Sequence, residues 1–427
     1  MLLRDRFRLL SFFVSVLLLL GFTACGGNNN SASNTGSNSG STPTPGSSNT
    51  GGGSGGSTSS AQQYLFAPLG NDLQQTSSGP NAFLAEYKVD GSTGALTLVN
   101  NKIQAGNIAS FTARDPGHKF LYVEGSPQSA TPALSYNTIS GYTVAQSDGA
   151  LTPMPGSPFD FNHQELAFMT VRPDLKFAYV EDYVNAGTVH IIAMDPGSGA
   201  LKNEVSTVTI PEAKDASVLA AASFDSSGQY LYFAISEKDA VAAYKSDATT
   251  GALTPVPGSP FVPKGAVAGG CSPKSRFCQA DVVTVGSKLY FVGQFYDGVA
   301  VFDINSTTGT LTESANSPVS NPAHQGEVLL ATPNGEFLYV LAPGAGGGMI
   351  VGYSIDANGG LTQVGSPLSG TGIVTFAEDM DESGKFLYAA TDTGIVGYSI
   401  DQSTGALAPV PGSPYAAAGV TGVTVVH

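Results

Sequence analysis

The chain has 427 residues, a net charge of −15 and only 12% charged residues. That acidity excludes nucleic acid and anionic surfaces as electrostatic partners, because like charge repels them. With 53 Gly, 26 Pro and no Trp, the composition favours short strands and tight turns over helices.

The first 24 residues read as an export signal. Arg4, Arg6 and Arg8 precede an apolar run from Leu9 to Leu20, broken only by Ser11 and Ser15. A basic start followed by a short apolar core is signal-peptide anatomy, and the core is shorter than a membrane-spanning helix requires. The end of the segment, Thr23-Ala24-Cys25, resembles a bacterial lipobox. That resemblance implies cleavage before Cys25, a diacylglycerol on its thiol and, with Gly26 rather than Asp next, sorting to the outer membrane or cell surface. The membrane is then a partner through the lipid alone.

Residues 25–60 follow as the lipidated cysteine and a linker of Gly, Ser, Asn, Thr and Pro with a single Ala and no charge. Such a stretch cannot bury enough apolar surface to offset its ordering entropy, so disorder is expected. A Gly/Ser-rich tether of this length spans about 33 Å on average.

From residue 61 to 427 two motifs alternate. The first is a tight turn leading into an aromatic–aliphatic–aromatic triplet. Its copies are Tyr64-Leu65-Phe66, Phe120-Leu121-Tyr122, Phe177-Ala178-Tyr179, Tyr230-Leu231-Tyr232, Phe337-Leu338-Tyr339 and Phe386-Leu387-Tyr388, with Lys288-Leu289-Tyr290 as a variant. The second motif is a strand, a turn opened by Asp or Asn and closed by Gly, and another strand. Its copies run Tyr87 to Leu96, Tyr142 to Leu151, Asp195 to Leu201, Tyr244 to Leu253, Phe302 to Leu311, Tyr353 to Leu361 and Tyr398 to Leu407. Asp or Asn bonds its own backbone in such turns, and Gly supplies the left-handed conformation.

A further strand-like run precedes each turn at Ile108–Ala113, Leu166–Val171, Val218–Phe224, Val282–Val285, Val328–Ala331 and Ile373–Ala377. Four short strands per unit, repeating roughly every 46–58 residues, are the blades of a propeller. The chain enters its first unit at the second strand, and Gly422–His427 reads as the missing inner strand. The prediction is an all-β, seven-bladed β-propeller with four antiparallel strands per blade, closed by the C-terminal strand and monomeric.

The alternation of Gly-Lys-Phe-Leu-Tyr turns with Asp-x-x-Thr-Gly-Ala-Leu hairpins resembles the seven-bladed lactonase family, which includes 6-phosphogluconolactonase-like and YVTN-type propellers. The resemblance implies a lactone hydrolase working from the inner rim with His, Glu and Arg. This chain lacks the His-x-His often found there. Its only arginines after the signal are Arg114, Arg172 and Arg276.

In a propeller, functional groups gather around the channel on the face opposite the Asp…Gly hairpins. Two groups fall there at the starts of inner strands: His163 with Glu165, and His324 with Glu327. A neutral His takes a proton from water and a carboxylate orients it, the chemistry that lactone opening requires. Both pairs are also read as hydrogen-bonding loop residues beside a wet channel. The expected rim further carries Glu124, Glu181, Asp182, Asp239, Asp297 and Arg276, open to a small-molecule or protein ligand. Scattered carboxylates could attract Ca2+, but they are not grouped in one loop, so no metal or other cofactor is predicted. Cys271 and Cys278 are expected to form a disulfide in an exported protein, two free thiols being the alternative. Two functions remain open: a surface-tethered lactonase, and a non-catalytic ligand- or protein-binding scaffold of the cell envelope.

Overall fold

The computed structural model describes residues 61–69, 83–105, 108–126, 138–161, 166–182, 187–213, 219–236, 238–266, 279–324, 326–343, 347–373 and 378–427. Within them the strands form seven antiparallel sheets, five of four strands and two of five. This is a seven-bladed β-propeller. Blade one takes its inner strand, Thr424–Val426, from the end of the sequence and pairs it antiparallel with Tyr64–Leu69. The inner strands of blades two to seven are Ile108–Arg114, Leu166–Val171, Leu219–Phe224, Ala280–Val285, Val328–Ala331 and Asp379–Met380.

In blade seven Ile373 bridges Thr391, and ladder pairing is described at Asp379–Met380. The rest of the expected run, residues 374–377, lies outside the described residues.

Each second strand displays the triplet on both faces of its sheet, since side chains alternate along a strand. In blade two, Phe120 and Tyr122 pack against Ala178 and Val180 of blade three, while Leu121 packs back against Phe66 of blade one. The same arrangement gives seven apolar clusters, one at each seam between neighbouring blades. No blade hides its apolar faces alone, so burial couples every sheet to two others.

The two motifs also meet each other. The closing glycine of each hairpin has positive φ, as at Gly94 (73°) and Gly199 (70°). A Cβ on Gly199 would fall 2.7 Å from the Phe120 ring of the preceding blade. Only glycine fits there on both counts. The triplet tyrosine of that preceding blade then donates to the same glycine's carbonyl: Tyr122 to Gly199, Tyr179 to Gly251, Tyr232 to Gly309, Tyr290 to Gly359 and Tyr339 to Gly405. Blade one carries Phe66 at this position and has no hydroxyl to offer. The buried carboxyl of Glu86 stands beside Gly149 instead.

The closing strand is held from both sides. Arg114 of blade two makes two 2.9 Å bonds to Asp379 of blade seven. Asp379 also accepts the Val425 N–H at 2.8 Å, and Thr112 meets Thr424 at 2.7 Å. Burial pushes the Asp379 carboxyl up, but the Arg114 charge and these bonds outweigh it and hold it below the ordinary range.

Candidate active site at the seam of blades two and three

Along the second strands, the slot after the triplet's next residue is filled by Ala234, Val292, Leu341 and Ala390 in blades four to seven. Blades two and three place Glu124 and Glu181 there. The sequence placed both on an open rim, but both are buried. Glu124 is 1% exposed and Glu181 5%, because this slot shares the parity of the aromatics, which face the seam of blades two and three for Glu124 and that of blades three and four for Glu181.

Glu124 therefore reaches towards blade three at the end away from the turns. There blade three's inner strand is irregular: its register against the second strand shifts between Val180 and Glu181. Phe168, the extra residue, has φ of 52°, uncommon for a bulky side chain. Its backbone N–H faces Glu124. Burial pushes the Glu124 carboxyl up to about 8, against the partial relief of that N–H. Burial raises Glu181 well above the ordinary range as well, and the charge of Glu124 adds to it. A carboxyl kept protonated at neutral pH can act as a general acid.

The same seam holds a histidine between two carboxylates. His190, on blade three's third strand, is 3% exposed. Its Nε2 lies 3.3 Å from Asp182 Oδ2 and its Nδ1 3.2 Å from Glu204 Oε2. Asp182 sits on the second strand and Glu204 on the outer strand, each diagonal to His190 in the ladder. Asp182 pairs with Leu166, the first residue of the inner strand. Glu204 lines a shallow groove of about 390 Å³ together with Phe159, Asp160, Phe161, Lys202 and Asn203. No sequence spacing marks His190 as part of this group, because its partners come from strands apart in the chain.

The remaining predicted residues are dispersed. His163 and Glu165, which directly precede Leu166 in the sequence, lie outside the described residues, as do Arg276, Cys25, Cys271 and Cys278. His324 is an exposed loop residue with φ of 54°, its Nδ1 3.0 Å from Asp297 Oδ1. Glu327 is instead buried, and burial raises its carboxyl to about 7. The expected His324–Glu327 partnership is thus replaced by His324–Asp297. Asp239 is buried beside Gly293 in the seam of blades four and five rather than on the rim. Asp281 is half-buried, accepts the Leu329 N–H at 2.7 Å, and its carboxyl is raised to about 7 by loss of solvent. Among the described residues no three His, Cys, Asp or Glu side chains are placed to hold a metal ion.

No curated protein is significantly similar to the chain in sequence. Solved structures share the fold. A candidate 6-phosphogluconolactonase from Bacteroides fragilis superposes with a TM-score of 0.66 at 17% identity, covering 87% of this chain and 99% of its own. The Pseudomonas aeruginosa periplasmic gluconolactonase PpgL gives 0.60 at 18% identity, covering 86% and 99%. A Lactobacillus plantarum protein gives 0.61 at 18%, covering 86% and 100%. The model of the family described as "Lactonase, 7-bladed beta-propeller" matches residues 74–424. With that span and the seven sheets described above, the chain belongs to the seven-bladed lactonase propeller family.

Proposed function

We propose that the protein is a lactone hydrolase whose site lies at the seam of blades two and three, on the face away from the hairpin turns. The observation that carries this reading is Glu124. It is a buried carboxyl with raised proton affinity, in a slot that four other blades fill with apolar residues, facing a bulged strand. Protonated Glu124 donates to the departing ring oxygen as water adds to the carbonyl carbon. His163 and Glu165, the residues preceding that bulged strand in sequence, supply the base. The net acidity of the chain favours a neutral lactone over a phosphorylated one. A panel of neutral and phosphorylated lactones, offered to wild type, Glu124→Gln and His163→Ala, tests this. Saturable opening of a neutral lactone that both substitutions impair supports it, and equal rates in all three refute it.

One observation favours a binding scaffold instead. Both described arginines are committed to ion pairs, Arg114 with Asp379 and Arg172 with Asp174. Retention of a ligand or envelope protein by a variant that opens no lactone would support the scaffold.

The tether forms part of the proposal: Cys25 carries the lipid, and the propeller works outside the cytoplasm at the membrane surface. Cys25→Ala is expected to move the protein from the membrane fraction to the soluble one. Unchanged fractionation counts against the anchor.

A further inference from the structure

We propose that His118 and His427 form an acid-released latch on the strand that closes the ring. A neutral His118 holds the end of that strand, and a protonated one lets it go.

The backbone of the closing strand shows what is held. Thr424–Val426 meets blade one in three residue pairs. Two further N–H groups reach neighbouring blades. Val425 donates to Asp379 of blade seven at 2.8 Å, and His427 donates to the His118 carbonyl of blade two at 2.7 Å. The last anchor of the strand is therefore the turn that carries His118.

Comparison with the other turns marks His118 out. In blades two, three, four, six and seven the fourth turn residue donates its N–H to the carbonyl of the first. Blades four, six and seven use Gly228, Gly335 and Gly384 there, with φ of 68°, 70° and 66°. Glycine adopts that left-handed conformation readily. Blade three carries Leu175 and blade two His118, at 58° and 54°, where a side chain is conformationally costly. The His118 ring is also buried, with no hydrogen-bond partner on Nδ1. It lies against the His427 ring, centroids 6.1 Å apart and planes 25° apart. His427 Nδ1 stands 3.2 Å from Glu382 Oε2 of blade seven. The stack thus joins blade two, the closing strand and blade seven.

A neutral imidazole suits this place and an imidazolium does not. Burial disfavours the charge most, the Arg114 guanidinium adds to it, and His427 acts in the same sense; Asp379 and Glu382 pull the other way without prevailing, so His118 is held below the ordinary histidine range. Asp379 is already engaged by Arg114 and the Val425 N–H, and Glu382 by His427. The carboxylates of Asp115 and Asp381 are committed to the amides of their own turns, and Lys119 and Lys385 are exposed. A protonated ring regains water only by leaving the stack, which pulls the His118 carbonyl from the His427 N–H. The sign follows: the contribution of a lowered histidine is complete above its unfolded value near 6.5 and is lost as pH falls below it.

The test follows amide protection, relative to the free-chain exchange rate, and the His118 ring signal by NMR in the full chain between about pH 7.5 and pH 5. The latch predicts that the Val425 and His427 amides lose protection at least about tenfold on acidification, with the midpoint of the His118 titration. The Leu231 and Phe233 amides, inside the blade four sheet, should keep theirs. The acids raised by loss of solvent shift global stability in the opposite sense over this range, so a loss confined to the closing strand identifies the latch. His118→Gly, which installs the residue of blades four, six and seven, and His118→Asn should both hold the strand equally at the two pH values. Equal protection at both pH values in wild type, or the same loss in the two variants, would overturn the latch.

Discussion

The Tyr388 hydroxyl of blade seven donates to the Gly94 carbonyl of blade one at 2.7 Å. One hydrogen bond thus joins two residues almost 300 positions apart and repeats, across the closure, the contact made at five other seams. Deleting a hydroxyl from a buried bond leaves the carbonyl unpaired and costs about 1–2 kcal/mol. Tyr388→Phe should therefore lower the urea midpoint by that equivalent, and Tyr339→Phe by a similar amount. A loss near zero at both positions would show that aromatic packing alone holds the seams.

The Arg114–Asp379 pair clasps the C-terminal strand. Removing one member of a fully buried ion pair costs about 3–5 kcal/mol. These side chains are 26% and 12% exposed, so solvent screening reduces the expected loss for Arg114→Met to about 2 kcal/mol. The sign with pH follows from the lowered Asp379 carboxyl. Its contribution is present above the unfolded-state value near 3.8 and disappears as pH falls through the lower folded value. Wild type should therefore lose stability to acid more steeply than Arg114→Met, as read from melting curves between pH 5 and 2.

The desolvated carboxyls act in the opposite sense. Loss of solvent raises Glu124 to about 8, and Asp281 and Glu327 to about 7. A raised acid stabilises the fold below its unfolded value, and that contribution is lost as pH climbs through the folded value. The melting temperature should consequently fall between pH 5 and pH 8. Glu327→Gln, which stays neutral throughout, should flatten that fall. A wild-type melting temperature constant across this range would mean that these groups are ionised without penalty.

The repeat was legible because its signals are local. A turn opened by Asp381 accepts the Lys385 and Phe386 amides on one oxygen, and such bonds span only a few residues. Counting the copies gave the blade number, and the C-terminal Val-Thr-Val-Val gave the closure. The site was less legible. Glu124, Asp182, His190 and Glu204 lie on four strands of two blades, and their approach depends on ladder register and the bulge at Phe168. One signal was available in the repeat itself: Glu124 and Glu181 occupy slots that Ala234 and Val292 fill elsewhere. The same comparison exposes Phe66, the triplet lacking its hydroxyl.

The most direct measurement is the pH dependence of lactone opening by the full-length protein beside Glu124→Gln. A positioned general acid contributes about 100-fold or more. The account predicts that wild type opens a neutral lactone with a rate that declines above about pH 8 as Glu124 ionises, and that Glu124→Gln is at least about 100-fold slower with an unaltered melting curve at pH 5. Equal rates and identical pH profiles in the two proteins would contradict it.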